Sequence, residues 1–370
     1  MIRIAGMMLM MIMFGSVPAW GGETILIGAA GPITGDQGKM GTDIANGDKL
    51  AAEDWNARGG VLGRKIEVVE GDDQHDPKQA VSVANKFVNL GVVGSIGHFN
   101  SSCSIPASQI LFDAGEITQI TPASTNPQFT DRGLSSTFRV CGRDEQQGGA
   151  AAQHVLKKMS VRRVAVLHDK TTYGQGLADE FVKSLKAGGI EPVYYGGIVQ
   201  GDKDFNAVLT MLKQKDPQVL FFGGIYPEAG LLTRQAREQG MNLTFISGDG
   251  TIDPEYLKIA GPAAEGALLT FTRDQRKIPE AQAVITRYEA KYGPFGAYSI
   301  YAYSAADILL QAIQRAGSTD SKKINAELHK GEFKTSIGTV RFDARGDISE
   351  SPFVIWRVDG GKFVQLEETP

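Results

Sequence analysis

Short apolar runs rich in β-branched residues alternate along the chain with longer segments whose apolar positions return every three or four residues. That alternation predicts strands and amphipathic helices in turn. Thr24–Ala29, Lys65–Val69, Val92–Ile96 and Thr118–Ile120 read as strands, with helices predicted over Thr42–Arg58, Pro77–Leu90 and Ile105–Ala114. The Pro77–Leu90 segment gathers Ala80, Val83, Ala84, Phe87 and Val88 on one face. A second series predicts helices over Gln146–Lys158, Leu177–Ala187, Phe205–Lys213 and Pro227–Gln239. Its strands fall at Arg163–His168, Pro192–Tyr195, Val219–Phe222 and Thr244–Ile246. After Leu268–Phe271 helices dominate, over Pro279–Tyr292, Tyr301–Ala316 and Lys322–Lys330. Two late strands, Thr339–Phe342 and Phe353–Val358, follow.

Repeated βαβ units predict parallel sheets covered by helices on both faces. The strands are too many for one compact sheet, and a break near Cys141–Glu145 divides them into two similar series. The late helices need a surface to cover, and the simplest solution returns them to the first series. The expected fold is therefore α/β, with two lobes joined by several crossovers and a cleft between them. A string of three domains is the alternative, but no Pro/Ser-rich linker supports it.

Composition narrows the function. With 42% hydrophobic and 22% charged residues in 370, a sizeable core is expected and general disorder is not. The net charge of −4 comes without a basic stripe, which argues against nucleic acid and anionic membranes as partners. Arg3, the apolar stretch from Ile4 to Phe14 and the small-residue site Val17-Pro18-Ala19 read as a secretory signal peptide over residues 1–19, cleaved near Ala19. No Cys follows that site, so no lipid anchor is expected, and the mature chain reads as a soluble periplasmic monomer. Cys103 and Cys141 both lie in the exported part. An oxidising compartment permits a disulfide between them, and two buried free thiols are the other reading.

The familiar catalytic and cofactor patterns fail. Gly28-Ala-Ala-Gly31 lacks dinucleotide spacing, Gly38-Lys39 is not a phosphate loop, and no G-x-S-x-G elbow occurs. His75, His98, His154, His168 and His329 form no metal-ligand pair, so neither metal nor cofactor is expected. What remains is a set of polar loops just after strand ends, where open α/β sheets bind ligands. They are Gly97 to Ser102, Thr121 to Pro127, Asp169 to Gly174, Gly223 to Glu228 and Ser247 to Gly250. Each has a bland reading as a cap or turn. Five of them, drawn from both halves, suggest one cleft read from two sides.

At these residues the chain resembles the periplasmic leucine/isoleucine/valine-binding proteins of ABC transporters. The matching stretches are Trp55 to Gly60 (WNARGG), Asp72 to Ala80 (DDQHDPKQA), Gly97-His98 with Pro106 to Ser108, and Thr121 to Ala123. They continue through His168 to Lys170 with Tyr173-Gly174, Gly223-Gly224 with Pro227-Glu228, and Arg234 to Arg237. The resemblance implies a type I periplasmic-binding fold, with two doubly wound parallel-sheet lobes and three hinge crossovers. Residues 20–141 and 272–350 would form one lobe, and 142–271 with 351–370 the other. By position, Ser101 and Thr125 would hold an α-carboxylate, helped by the Ala123 backbone and Tyr173. Asp249 would take the α-ammonium, one methylene shorter than the family's Glu, with Glu228 as its back-up. Phe99, Asn100 and Met40 would line the side-chain pocket, while a pocket Tyr of the family falls at Ile225, beside Tyr226. The family's Cys pair falls at His75 and Asn100, so a disulfide here would have to join Cys103 to Cys141.

The resulting expectation is a receptor, not an enzyme. It would bind an aliphatic, branched-chain type amino acid and deliver it to an inner-membrane ABC permease. Alternatives are a polar amino acid, an amide or an aromatic carboxylic acid as ligand, a sensory ligand-binding module, or an exported α/β hydrolase.

Overall fold

The structure is a computed structural model that describes residues 22–349 and 353–366. The expected leader lies outside the described residues. The first sheet is built from β1 (Ile25–Gly31), β2 (Ile66–Asp72), β3 (Gly94–Ile96), β4 (Thr118–Thr121) and β5 (Thr137–Arg139). All its pairings are parallel, in the order β2-β1-β3-β4-β5. The connecting helices are α1 (Gly38–Ala57), α2 (Pro77–Leu90), α3 (Ser101–Asp113) and the single turn α4 (Gln128–Asp131). The limits of α2 are written in its sequence. Asp76 accepts from the backbone N–H of Lys78 and Gln79, Pro77 opens the first turn, and Gly91 closes it in the left-handed region at φ 72°.

The second sheet carries β6 (Val164–His168), β7 (Tyr194–Gly197), β8 (Val219–Gly223), β9 (Thr244–Ser247) and β10 (Leu268–Phe271) in parallel. Its helices are α5 (Asp144–Lys158), α6 (Thr172–Ala187), α7 (Asn206–Gln214), α8 (Tyr226–Glu238) and α9 (Pro254–Ala260). The chain then leaves this lobe. Helices α10 (Gln282–Tyr292), α11 (Ser299–Ala316) and α12 (Ser321–Lys330) return to the first sheet. Trp55 Nε1 donates to Asp307 at 2.8 Å, Tyr288 to the Asp43 carbonyl at 3.1 Å, and Thr118 to Asn325 at 2.7 Å. A small hairpin, β11 (Glu332–Thr335) and β12 (Gly338–Arg341), precedes the last crossing. Finally β13 (Val354–Asp359) and β14 (Lys362–Gln365) join the second sheet antiparallel, giving the order β14-β13-β10-β9-β8-β6-β7.

Where structure and sequence pattern differ, the difference has a cause. α3 begins at Ser101 instead of Ile105, and α6 at Thr172 instead of Leu177. Their first turns face the other lobe and carry Ser, Thr, Tyr and Gly, so apolar periodicity starts one turn late. β5, α4, α9, β11 and β14 are three to seven residues long, too short for a periodic signal.

A buried ion-pair network ties the last crossing to the first lobe. Arg139, fully buried on β5, donates to Asp347 at 2.6 Å and to the carbonyls of Ser124 and Asn126 at 2.7 and 3.0 Å. Arg143 reaches the other Asp347 oxygen at 2.7 Å.

Candidate ligand-binding site

Parallel strands point the same way, so the carboxyl ends of both sheets present their loops to one interlobe cleft. Gly97 allows the first of these loops. Its φ is +117°, and a Cβ there would sit 2.0 Å from the Ala30 carbonyl oxygen. Beyond it, Phe99 and Asn100 lead into α3, whose first residue is Ser101. The N–H groups of a helix's first turn have no intrahelical acceptor and carry the positive end of its dipole, which favours an anion. From the second lobe, Gly174 and Gly223 let α6 press onto β8, because a Cβ on Gly223 would stand 2.0 Å from the Gly174 carbonyl oxygen. That approach aims Tyr173 at the cleft.

The two sides meet closely at a narrow cavity between the lobes. Phe99, Asn100, Ser101 and Ala123 line it from the first lobe, and Tyr173, Ile225, Asp249 and Gly250 from the second. Tyr298, just before α11, closes one side, with its ring edge-on to Phe99 at 5.4 Å between centroids.

Asp249 dominates the electrostatics. Its carboxylate accepts from Tyr173 Oη at 2.7 Å and from Tyr298 Oη, and no Lys, Arg or His among the described residues pairs with it. Burial raises its pKa above the usual carboxylate range, opposed by the Tyr298 and Tyr173 hydroxyls and the Gln147 side chain. Asp144, at the start of α5, is also fully buried, and its pKa is raised well above the usual range. Desolvation is the first cause, the Thr125 hydroxyl opposes it, and the charge of Asp249 adds to it. The cavity itself thus carries one buried acid, Asp249, with no compensating base beside it, an arrangement suited to a small cation.

Direct bonds cross between the lobes around the cavity. Tyr226 Oη donates to the Asp36 carbonyl at 2.6 Å, Lys203 pairs with Asp36 at 2.9 Å, and Asn126 Nδ2 donates to the Thr172 carbonyl at 2.8 Å. The Gln200 amide lies 2.8 Å from His75 Nδ1.

Six of the residues expected from sequence meet at the cavity: Ser101, Ala123, Tyr173, Asp249, Phe99 and Asn100. Three do not line it. Met40 is fully buried in the first-lobe core on α1. Thr125 lies behind the wall, where its carbonyl accepts from the Asp144 N–H at 3.0 Å. Tyr226 turns outward to the seam bond with Asp36. Glu228, the back-up acid, accepts from the Gly201 N–H at 2.8 Å and is not part of the lining. The expected disulfide is absent, because Cys103 and Cys141 are free buried thiols in different packing environments. Cys103 sits between α2 and α3 with Ala80, Ala84, Ala107 and Leu111, whereas Cys141 donates to the Ser124 carbonyl. Burial raises both thiol pKa values. Sequence reasoning missed Tyr298, took Gly250 only as the end of a polar loop and Ile225 only as a position. Tyr298 follows no strand, and the return of α11 to the first lobe is what brings it to Asp249.

The periplasmic binding protein family model matches residues 24–362, nearly the whole described chain. The chain belongs to the periplasmic binding protein family. As a periplasmic binding protein it is a solute receptor and not an enzyme. It is 44% identical over 351 residues to a Leu/Ile/Val-binding protein homolog of Brucella suis, covering 94% of each chain. Among solved structures, a leucine binding protein of Thermotoga maritima matches with a TM-score of 0.87 at 31% identity, over 93% of this chain and 98% of that one. A branched-chain amino acid transporter substrate binding protein of Streptococcus pneumoniae, in complex with isoleucine, matches with a TM-score of 0.84 at 27% identity, over 93% of this chain and 100% of that one. The two α/β lobes described above are the type I form of this fold.

Proposed function

We propose that this receptor binds an aliphatic, branched-chain type amino acid in the interlobe cavity and delivers it, as a monomer, to an inner-membrane ABC permease. The observation that carries the reading is Asp249, a buried carboxylate held only by neutral partners and facing a small cavity. A ligand ammonium completes it. The α3 N-terminus, with Ser101 and the Ala123 loop opposite, takes the ligand carboxylate, and Phe99, Ile225 and Tyr298 offer the side chain an apolar wall. The Brucella, Thermotoga and Streptococcus relatives support the amino-acid class. In this reading the leader is removed near Ala19, and the lobes hinge at crossovers near residues 141, 271 and 350.

Calorimetry with leucine, isoleucine and valine tests it. Removing one partner of a buried charged pair costs about 3–5 kcal/mol, because the other charge stays unpaired. Asp249→Asn is therefore expected to weaken amino-acid binding at least about a hundredfold, roughly 2.8 kcal/mol. A carboxylic acid without the amine should bind the variant no worse than wild type. Unchanged amino-acid affinity in Asp249→Asn would place the ammonium elsewhere.

A further inference from the structure

A second cavity lies where the chain passes between the lobes, apart from the amino-acid site. Its volume is ≈ 460 Å³, within the range of small-molecule pockets. All three connecting segments line it: Val140 after β5, Thr272 and Arg273 after β10, and Ile348 before β13. The β11–β12 hairpin adds Ile337, Val340 and Arg341, and α11 adds Tyr301. The charge of this cavity is one-sided. Two guanidinium groups line it and, among the described residues, no Asp or Glu does, in a chain whose net charge is −4. Arg341 pairs with the exposed Glu332 of the same hairpin, whereas Arg273 has no carboxylate partner among the described residues. Thr272 is 7% exposed, and its Oγ1 has no hydrogen-bond partner among the described residues. A buried hydroxyl left unpaired is costly, and a ligand oxygen at this place relieves it.

The two cavities share one aromatic cluster. Tyr298 lines the amino-acid site and bonds to Asp249, and Tyr301, three residues later, lines the hinge cavity. Their ring centroids are 6.4 Å apart, and Phe271 at the end of β10 packs edge-on against both, at 5.5 and 6.5 Å. We propose that the hinge cavity is a second, regulatory site for a small apolar carboxylate without an amine, and that its occupation favours lobe closure. Arg273 and Arg341 take the carboxylate, the Thr272 hydroxyl adds a donor, and Val140, Ile337 and Val340 cover the aliphatic body. The amine decides which cavity a molecule enters. An amine-free acid in the cleft leaves the Asp249 charge unpaired, whereas the hinge cavity offers an ammonium no acid among its described residues. An occupant that touches all three connecting segments stabilises the lobe arrangement that shapes its cavity, here the closed one.

The probe is 4-methylpentanoate, the carbon skeleton of leucine without its amine. It is titrated calorimetrically into leucine-saturated protein, wild type and Arg273→Glu. Wild type should bind it with leucine in place. Arg273→Glu should bind it at least about tenfold more weakly, by loss of a charge-assisted contact, with its affinity for leucine alone unchanged. Coupling is reciprocal, so saturating probe should tighten leucine binding about fivefold in wild type and not in the variant. Arg341→Glu, a second exposed position, serves should Arg273→Glu fail to fold. No binding to leucine-saturated protein, simple competition with leucine, or equal binding in the variant overturns the site. Inorganic phosphate bound as tightly as the probe means a cationic patch for any anion, and overturns the carboxylate assignment. Leucine affinity unmoved by bound probe overturns the regulatory role. The site stands apart from the amino-acid reading: protein that binds no leucine overturns that reading alone, and wild type and Arg273→Glu are then compared with the probe by itself.

Discussion

Asp249 and the two cysteines show how differently single residues declare themselves. Asp249 was legible as a cleft residue because loops after parallel strands face the ligand, while its expected role towards an ammonium came only from the family resemblance. Cys103 and Cys141 were misread because pairing is a matter of geometry, which spacing does not contain. Their actual environments, an alanine-lined helix interface and a backbone carbonyl at the crossover, hold neutral thiols. Thiol titration of unreduced protein should therefore count two free cysteines after denaturation and essentially none before it. A count of zero in the denatured, unreduced state would restore the bridge. Tyr298 was illegible for a third reason. Its partner Asp249 lies 49 positions away on the other lobe, and only tertiary structure joins them.

Elements carried by long periodic runs, such as α2 and α11, were readable because a buried face repeats over several turns. The functional ends of α3 and α6 were not, because a first turn that meets ligand or the opposite lobe cannot also be apolar. β5 was missed altogether. It is three residues long, and its last residue, Arg139, looks like a surface charge in the sequence. In the structure that guanidinium spans β5, the loop of Ser124 and Asn126, and Asp347 from the last crossing. Replacing it by Met would strip the guanidinium from two carbonyls and from Asp347, leaving that buried carboxylate to Arg143 and the Thr130 hydroxyl. Urea denaturation of Arg139→Met should show a loss of about 3–5 kcal/mol, the usual result of breaking one side of a buried ion pair. A loss below about 1 kcal/mol, the range of exposed pairs, would mean that the network is hydrated and slack.

At the scale of the whole molecule, the seam bonds from Tyr226, Lys203, Asn126 and Gln200 belong to a closed arrangement of the lobes. Ligand that binds both lobes shifts the population towards this state, and small-angle scattering should report a smaller radius of gyration at saturation. An identical curve with and without ligand would argue against a hinge. The uncompensated acidity of the cleft gives this motion a further property, that of guarding against false signals. Shutting on water alone would strand the Asp249 charge in a dry interior, so closure without cargo is penalised and the closed shape reports occupancy. Protons erode that safeguard. Because burial raises the Asp249 pKa, the closed state takes up a proton that the open state does not hold, and closure gains as pH falls. In ligand-free protein the radius of gyration should shrink on acidification, and Asp249→Asn should be compact already at neutral pH, its closed form no longer certifying a bound ligand.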